Sequence, residues 1–500
     1  MTTAPTTLRR YRARHVNVRT ILAGALALVL VATAGGCYPE RLLGDRPLPP
    51  DVPDPEHTAT PAGAIAAYRG AIAQLRTAFG GSGYSFIPIT GLLTDELGYG
   101  DSGQPGWVDD GMLIDSRFLP EDPGIGDDST TGYPVWLVYG LLHKVRGQAR
   151  QARGALLAYA PDSSPALVGH LEAIEGYADI FLADLFCSGV PLSTLDFDGA
   201  FTYRPGSSTA EVYQRATAFF DSALAISADS ASVMYLASVG KGRSLLALGD
   251  YAGAAQAVAG VPDDFRYTLE YSAAVSPGQF TDLTNQHFVH FDFGAGTTMR
   301  LTMVDAEGGN GLPFISSGDP RSAWVDGGMY HDLHITQPAA YPIDGSGSIV
   351  LASGLEARLI QAEAKLQADD ASWLVTLNAL RTDGTFDTQP DPNDSTKTDT
   401  LWHAGSGGVA GLAPLEDPAT PDGRVNLIFA ERGYWLFLTG HRQGDLRRLV
   451  REYGRDSESV YPTGVYPGAF NAYGSAVTAP IPGDERVTNP LFTGCRSRGA

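Results

Sequence analysis

Apolar residues recur at three- and four-residue spacing in separate stretches of the chain, the pattern of helices that bury one face. The stretches cover residues 64–79, 136–159, 167–186, 208–226, 232–248, 251–258, 351–368, 373–381 and 425–440. Ser208 and Glu211 have the spacing of a capping box, which marks a helix start. The pattern therefore predicts a mainly helical protein.

Residues 232–258 predict two antiparallel helices. Ser232 is expected to cap the first helix, Gly249 to end it, and Tyr251 to begin the second. Gly242 is small enough to let the two helices approach closely. This arrangement is typical of a tetratricopeptide unit, and each unit must bury one face on a neighbour.

Helical periodicity fades between residues 265 and 347, where Gly, Pro, Thr and aromatic residues dominate. A short alternation over residues 297–304 predicts a small hairpin. A polar loop is expected from residue 383 to 421, and residues 455–500 are again rich in loop-forming residues. The sequence thus predicts a helical scaffold interrupted by long loops.

The composition changes this picture in two ways. The chain has 500 residues, of which 43% are hydrophobic, and this excludes a disordered acidic polymer. Its formal net charge is −21, so most of its surface would repel a phosphate backbone. We therefore expect no nucleic-acid partner.

The first 36 residues have the order of a targeting segment. A basic start is followed by an apolar run over residues 21–32, which is too short to span a bilayer, and then by Ala34, Gly35, Gly36 and Cys37. The order resembles a bacterial lipoprotein signal peptide over residues 1–36, in which the Cys37 thiol takes diacylglycerol and fatty acids such as palmitate are attached. An ordinary secretory signal is the alternative.

The residues after Cys37 extend this interpretation. Tyr38 is not the Asp that commonly retains lipoproteins in the inner membrane, which favours the outer membrane. The proline-rich residues 37–61 predict a stiff tether. The two other cysteines, Cys187 and Cys495, either form a disulfide or stay as free thiols, and the sequence alone does not show that they approach.

Several segments resemble one family in the order that the family has them. They are GLLTDE (91–96), residues 171–192 ending in GVPL, residues 208–226, GDPR (318–321), residues 350–365, TLNALR (376–381), FAERGYWLFLTGHRQGDLRRL (429–449) and Asn489-Pro490. The segment 429–449 is the most specific of these. The chain is on these grounds similar to the SusD/RagB family, although Gly433 and Thr439 stand where that family usually has charged residues.

The resemblance implies an all-α fold, with a right-handed tetratricopeptide-like scaffold, long loop insertions and minor β-hairpins over residues 62–500. It implies a lipoprotein of the cell outer membrane that faces the exterior, binds nutrient oligomers, usually glycans, and forms the lid of a TonB-dependent SusC-like transporter. Peptides are also ligands in such proteins. The resemblance implies no enzyme activity and no cofactor.

Loop aromatics beside acidic residues are the candidates for ligand binding. Sugar rings pack their C–H faces on aromatic rings, and sugar hydroxyls bond to carboxylates. The candidates are Tyr99, Asp101, Trp107 and Asp109 in one loop and Trp324, Asp326 and Tyr330 in another. Tyr203, Tyr461, Tyr466 and Tyr473 are weaker candidates. The alternative is that these rings only pack the loops against the scaffold.

A second group of charged residues is expected to be structural. Its members are Glu356, Glu363, Glu431, Arg432, Arg442, Asp445 and Arg447. Arginine pairs with carboxylates through two parallel bonds and can fix packed helices, so we favour a structural network over a catalytic or anion site. The two glutamates at 356 and 363 are expected to meet arginines.

Two other functions stay open, an extracellular hydrolase and a helical-repeat scaffold for protein partners. The sequence contains no G-x-S-x-G, H-E-x-x-H or phosphate-loop motif. The histidine pairs at 287 and 290 and at 331 and 334 are not expected to bind metal, because positions three apart face opposite sides of an extended chain. The acidic residues 391–402 lack the glycine and glutamate of a calcium loop.

Overall fold

A computed structural model describes residues 59–81, 84–99, 110–119, 133–271, 301–330, 333–339, 347–382, 387–391, 394–401, 411–467 and 470–500. The chain divides into two units, residues 1–58 and 59–500, and the described residues all belong to the second. The expected signal peptide and Cys37 lie outside the described residues, as do Asp101, Trp107 and Asp109. None of the described helices is both long and apolar enough to cross a membrane.

The described residues form thirteen α-helices. They are α1 (Pro61–Gly80), α2 (Phe86–Leu93), α3 (Asp110–Asp115), α4 (Tyr133–Tyr159), α5 (Pro165–Leu185), α6 (Thr209–Ile226), α7 (Ala231–Ala247), α8 (Tyr251–Ala257), α9 (Gly354–Gln367), α10 (Ser372–Thr382), α11 (Pro421–Trp435), α12 (Arg442–Arg451) and α13 (Gly483–Thr488).

Twelve short strands accompany these helices in the described part of the chain. They are β1 (Leu97–Tyr99), β2 (Val190–Pro191), β3 (Thr194–Leu195), β4 (Phe201–Thr202), β5 (Gly206–Ser207), β6 (Arg266–Tyr271), β7 (Leu301–Met303), β8 (Trp324–Tyr330), β9 (Leu333–Pro338), β10 (Gly347–Ser353), β11 (Asp387–Asp391) and β12 (Asp394–Leu401). They pair two by two and antiparallel, as β1–β7, β2–β5, β3–β4, β6–β10, β8–β9 and β11–β12.

The sequence predicts polar N-terminal caps for α6 and α7, and the structure has both, the second of them at a different serine. At α6, Ser208 and Glu211 form both bonds of the capping box. At α7 the cap is Ser230, whose hydroxyl accepts from the Val233 amide at 3.5 Å, so the expected cap at Ser232 is wrong by two residues. Ser230 takes the extended backbone that a cap requires, whereas Ser232 already lies inside the helix.

Small residues let successive helices approach. An added Cβ would lie 2.9 Å from the Phe220 ring at Gly176 and 2.4 Å from it at Gly240, so this ring of α6 fits against bare backbone on both α5 and α7. At Gly242 an added Cβ would lie 2.6 Å from Cγ1 of Val258, beyond the end of α8. Helices α4 to α8 thereby share one apolar core, while α9, α10 and α11 contribute to a second cluster.

The irregular regions hold more regular structure than the sequence indicates. The expected polar loop between 383 and 421 contains the β11–β12 hairpin. The expected local hairpin at 297–304 is instead β7 pairing with β1, about 200 residues earlier, and residues 297–300 lie outside the described part. Helix α11 ends at Trp435 rather than Gly440, because Leu438 and Gly440 turn the chain with φ of 54° and 72°.

A disulfide joins Cys187 to Cys495, with Cα atoms 5.9 Å apart. It lies where the chain leaves α5, and backbone bridges beside it pair Phe186 with Ala479 and Ser188 with Ser497. The C-terminal segment is therefore fixed along the end of α5 by both a covalent bond and backbone hydrogen bonds.

Candidate functional site

The turn between α11 and α12 places charged side chains inside the protein. Arg432 binds both oxygens of Asp445 at 2.8 and 2.9 Å, and Arg448 contacts Asp445 and Glu363. All four side chains are almost fully buried. Burial opposes ionisation of Asp445, but Arg432 and Arg448 outweigh it and hold its pKa below the usual range.

The neighbouring charges extend this network to other elements. Arg442 binds both oxygens of Asp95, each at 2.6 Å, and Glu431 accepts from Arg321 at 2.8 Å and from Arg381 at 2.7 Å. These pairs connect α12 to Asp95, and α11 to Arg321 and to Arg381 on α10.

Two members of the predicted group make contacts that the sequence did not indicate. Glu356 pairs with Nε2 of His441 at 3.0 Å, and the charge of Arg243 also acts on it. Arg447 donates to main-chain carbonyls at the end of α5, at 3.1 Å from Asp184 and 3.2 Å from Phe186. Burial of this kind leaves no surface on which these groups could meet a ligand.

Gly433 has a packing role inside the network. An added Cβ would lie 2.5 Å from Cδ1 of Leu312 and 3.2 Å from a guanidinium nitrogen of Arg442. A side chain at this position would push the end of Leu312 aside and crowd Arg442 beside Asp95.

The hairpin β8–β9 presents part of the predicted ligand-binding group. Trp324 begins β8 with 43% of its surface exposed. Asp326 is exposed two residues later and pairs with Nε2 of His334 on β9 at 2.9 Å. An exposed indole beside a carboxylate and an imidazole can stack on a flat ring and bond to its substituents.

Strand β7 connects this hairpin to the other predicted loop. The Thr336 amide of β9 donates to the Thr302 hydroxyl of β7 at 2.9 Å, and β7 pairs with β1, where Leu301 stands opposite Tyr99. The strand of Tyr99 is therefore connected to the strand of Trp324 through β7 and β9. Tyr330 stands opposite Leu333 where the hairpin turns.

Arg321 fixes the base of the hairpin to the helices. It binds Asp319 at 2.7 Å and Glu431 at 2.8 Å, and its guanidinium lies 4.5 Å from the ring centre of Trp435. Trp324 follows only three residues later, so its backbone is held against α11 while its ring faces outward.

The weaker tyrosine candidates divide into two groups. Tyr461 is fully buried, Tyr466 donates to Asp115 at 2.7 Å, and Tyr473 donates to Glu307 at 2.8 Å. These three pack loops against the scaffold. Tyr203 is different, because 41% of its surface is exposed.

Asp115 and Glu307 form an acid pair beneath Tyr99. Burial raises the pKa of Asp115 to about 6, and its bonds from Tyr99 and Tyr466 offset this only in part. Burial and the charge of Asp115 raise the pKa of Glu307 well above its usual range. The folded protein therefore keeps a proton on this pair at a pH where the unfolded chain would release it.

We expect Asp115→Asn to make the melting temperature less sensitive to pH. In the unfolded chain Asp115 loses its proton near pH 4, so the wild type loses about 2–3 kcal/mol of stability from this group as the pH rises from about 4 to 7. Asparagine cannot ionise and removes that loss. Melting curves across this range test it, with the exposed Asp264→Asn as control. Parallel profiles for wild type and Asp115→Asn would contradict the assignment.

A groove that the sequence did not indicate lies between α4, the β3–β4 hairpin and α13. Its volume is about 420 Å³, and its walls include Lys144, Leu195, Phe201, Tyr203 and Glu485. In the part of the chain that the structure describes, no three His, Cys, Asp or Glu side chains are placed to hold a metal ion.

No protein-family model matches the sequence, and no curated protein matches it. Solved structures do match. A SusD homolog from Bacteroides thetaiotaomicron aligns with a TM-score of 0.59 at 12% identity, covering 89% of this chain and 99% of its own. The protein has the SusD fold. The predicted helical scaffold with short strands is thus confirmed.

Two further structures with the SusD fold have descriptions that mention ligands. A laminarin-binding SusD-like protein aligns with a TM-score of 0.57 at 14% identity, covering 87% of this chain and 99% of its own. A SusD-like carbohydrate-binding protein from Bacteroides vulgatus aligns with a TM-score of 0.55 at 14% identity, covering 87% of this chain and 97% of its own.

Proposed function

We propose that this protein is a lipoprotein of the cell outer membrane that binds nutrient oligomers, chiefly glycans, and forms the lid of a TonB-dependent SusC-like transporter. It performs no chemical step on its ligand. The lipoprotein-like leader ending at Cys37 supports the location. Solved neighbours that bind laminarin and other carbohydrates support the ligand class.

The observation that carries the proposal is the outward-facing Trp324 on a hairpin whose base is fixed to the SusD scaffold. The flat indole is a platform for a sugar ring, and the pair of Asp326 and His334 beside it offers groups for hydroxyls. Because Arg321 holds the base, little conformational entropy is lost when a ligand binds the platform.

We expect Trp324→Ala to weaken glycan binding about tenfold or more without changing the melting temperature. The full-length protein in detergent is screened against a panel of soluble glycans, and affinities for the hits are measured by calorimetry. Trp324→Phe keeps a flat ring and should retain most of the affinity. Leu157→Ala, at a side chain 64% exposed on α4, is the surface control.

Unchanged affinity in Trp324→Ala would remove this hairpin from the binding site. A panel without any bound glycan would contradict the proposed ligand class. Release of new reducing ends from a bound glycan would contradict the proposal that the protein is not an enzyme.

The transporter role has its own test. Tagged protein extracted from outer membranes with mild detergent is expected to carry a large TonB-dependent barrel with it. A Cys37→Ser variant should no longer be held in that membrane. If the wild-type protein is recovered without any barrel, the lid role is contradicted. If the Cys37→Ser variant stays in the outer membrane as before, the lipid anchor is contradicted.

A further inference from the structure

Three glycines lie seven residues apart along α4, and that spacing puts them on one face of the helix. At Gly154 an added Cβ would lie 2.4 Å from Cγ of Phe197, so a flat aromatic ring already packs directly on the helix backbone there. At Gly140 and Gly147 an added Cβ would meet nothing within 4 Å. This face of α4 is therefore covered by the Phe197 ring at Gly154 and is open at Gly140 and Gly147.

The open glycines form the floor of the groove between α4, the β3–β4 hairpin and α13. Its volume of about 420 Å³ falls within the range of small-molecule sites, roughly 300–1,000 Å³. Leu195 and Phe201 stand opposite each other on the hairpin and are 43% and 55% exposed. The Phe201 ring meets that of Tyr203 edge to face, with centres 4.8 Å apart. This wall therefore presents exposed apolar surface, with the two rings at 73° to each other.

Helix α4 is basic in an acidic protein. It contains Lys144, Arg146, Arg150 and Arg153 and no acidic residue, while the whole chain has a formal charge of −21. The three arginines are neutralised by α5, with Arg146 2.8 Å from Asp179, Arg150 2.9 Å from Glu175 and Arg153 2.6 Å from Glu172.

Lys144 differs from these arginines. It is exposed at the groove, and it makes no hydrogen bond or ion pair with any residue that the structure describes. His143 beside it stays neutral, because burial and the charges of Arg146 and Arg215 lower its pKa well below the usual range. Lys144 is therefore the cation of the groove without an ion-pair partner. The lining also contains Glu485, which accepts from Tyr139 and Asn489, but with Lys144, Arg146 and Arg150 against Glu175 and Glu485 the groove keeps a net positive charge.

We propose that this groove binds a saccharide that carries an acidic group, either a uronic acid carboxylate or a sulfate ester. Successive sugar rings lie along the bare backbone from Gly140 to Gly147, a span of about 10 Å on the helix, while C–H faces meet Phe201 and Tyr203 and an anionic group binds Lys144. The inference rests on the proposed function and names the class of glycan for a site apart from Trp324.

Charge and shape together favour this occupant. A neutral sugar would use the aromatic wall but would remove water from the Lys144 ammonium without giving it a counter-charge. A simple anion would bind the ammonium but would leave the apolar floor and wall uncovered. An acidic saccharide satisfies both surfaces, because its rings cover the apolar floor and wall and its charge is attracted to the Lys144 ammonium.

Calorimetry on the full-length protein in detergent tests the inference with three tetrasaccharides, an oligogalacturonate, a sulfated galactan and a neutral galactan. At least one acidic probe is expected to bind tenfold or more tightly than the neutral one, and the two acidic arms distinguish carboxylate from sulfate. Lys144→Gln should remove about tenfold of that affinity. Lys241→Gln, which breaks an exposed pair with Asp221 on another part of the scaffold, should change nothing.

Gly147→Leu provides a second variant whose folding is not in question. Leucine is a better helix former than glycine, and a Cβ at this position meets nothing within 4 Å, so the melting temperature should stay or rise. Its side chain would fill the floor of the groove, and binding of the acidic probe is expected to be lost.

Equal affinity for acidic and neutral probes, or acidic binding that survives both Lys144→Gln and Gly147→Leu, would overturn the inference. If Trp324→Ala abolishes neutral glycan binding while both groove variants behave as wild type, the proposed function stands and this inference fails. If no saccharide of any class binds, both fail.

Discussion

Asp445→Ala is expected to lower the free energy of unfolding by about 3–5 kcal/mol, because it leaves the Arg432 guanidinium buried without its counter-charge and removes one of the partners of Arg448. Arg432 loses both of its bonds to the carboxylate, and Arg448 keeps Glu363 and Glu452 as partners. The expected readout is a clearly lower melting temperature with unchanged glycan affinity per folded molecule, since the carboxylate lies away from the exposed surface.

Asp417→Ala is the matched control for this prediction. Asp417 also binds an arginine through two bonds, each 2.7 Å, to Arg424, but this pair lies on the surface. Solvent compensates an exposed guanidinium, so the control should melt close to wild type. A similar melting temperature for the two variants would show that burial of the network is not what stabilises it.

The second large effect is expected from the disulfide. Replacing both Cys187 and Cys495 by alanine should cost about 4–5 kcal/mol, because the bond closes a loop of 308 residues in the unfolded chain. The same loss is expected when the wild type is unfolded in the presence of a strong reductant. Thermal unfolding with and without reductant measures it.

The double variant is its own control, because reductant should not change its melting temperature further. Limited proteolysis should also cut the variant first in the segment after Ala479, which the disulfide holds beside α5 in the wild type. Equal melting of oxidised and reduced wild type would contradict the prediction.

Local signals were sufficient for the long helices. Apolar periodicity predicted α1, and periodicity together with a capping box predicted α6, because each has one buried face and the capping box of α6 forms in the structure. Helix α2 could not be predicted in this way, since all eight of its residues are buried and it shows no alternation of faces. Strands β1, β6, β7 and β10 were missed because each pairs with a strand far away in the sequence, so the fold and not a local turn brings the partners together.

The candidate sites also differ in whether neighbouring residues in the sequence were enough to indicate them. The exposed Trp324 was predicted from its neighbours in the sequence. The groove was not, because its walls come from α4, from residues 194–203 and from Glu485, which are brought together only by the tertiary structure. Likewise the cluster of arginines after residue 431 was visible, but the partner of Arg442 is 347 residues away at Asp95.

Arg321 separates a constrained part of the hairpin from a part that tolerates substitution. Changing the residue itself would disturb Asp319, Glu431 and the ring of Trp435 at once, so drift at this position is penalised. The exposed positions just beyond it carry no such penalty. Substitutions at Trp324 and Asp326 would therefore change the surface that this hairpin presents while its attachment to α11 stays the same.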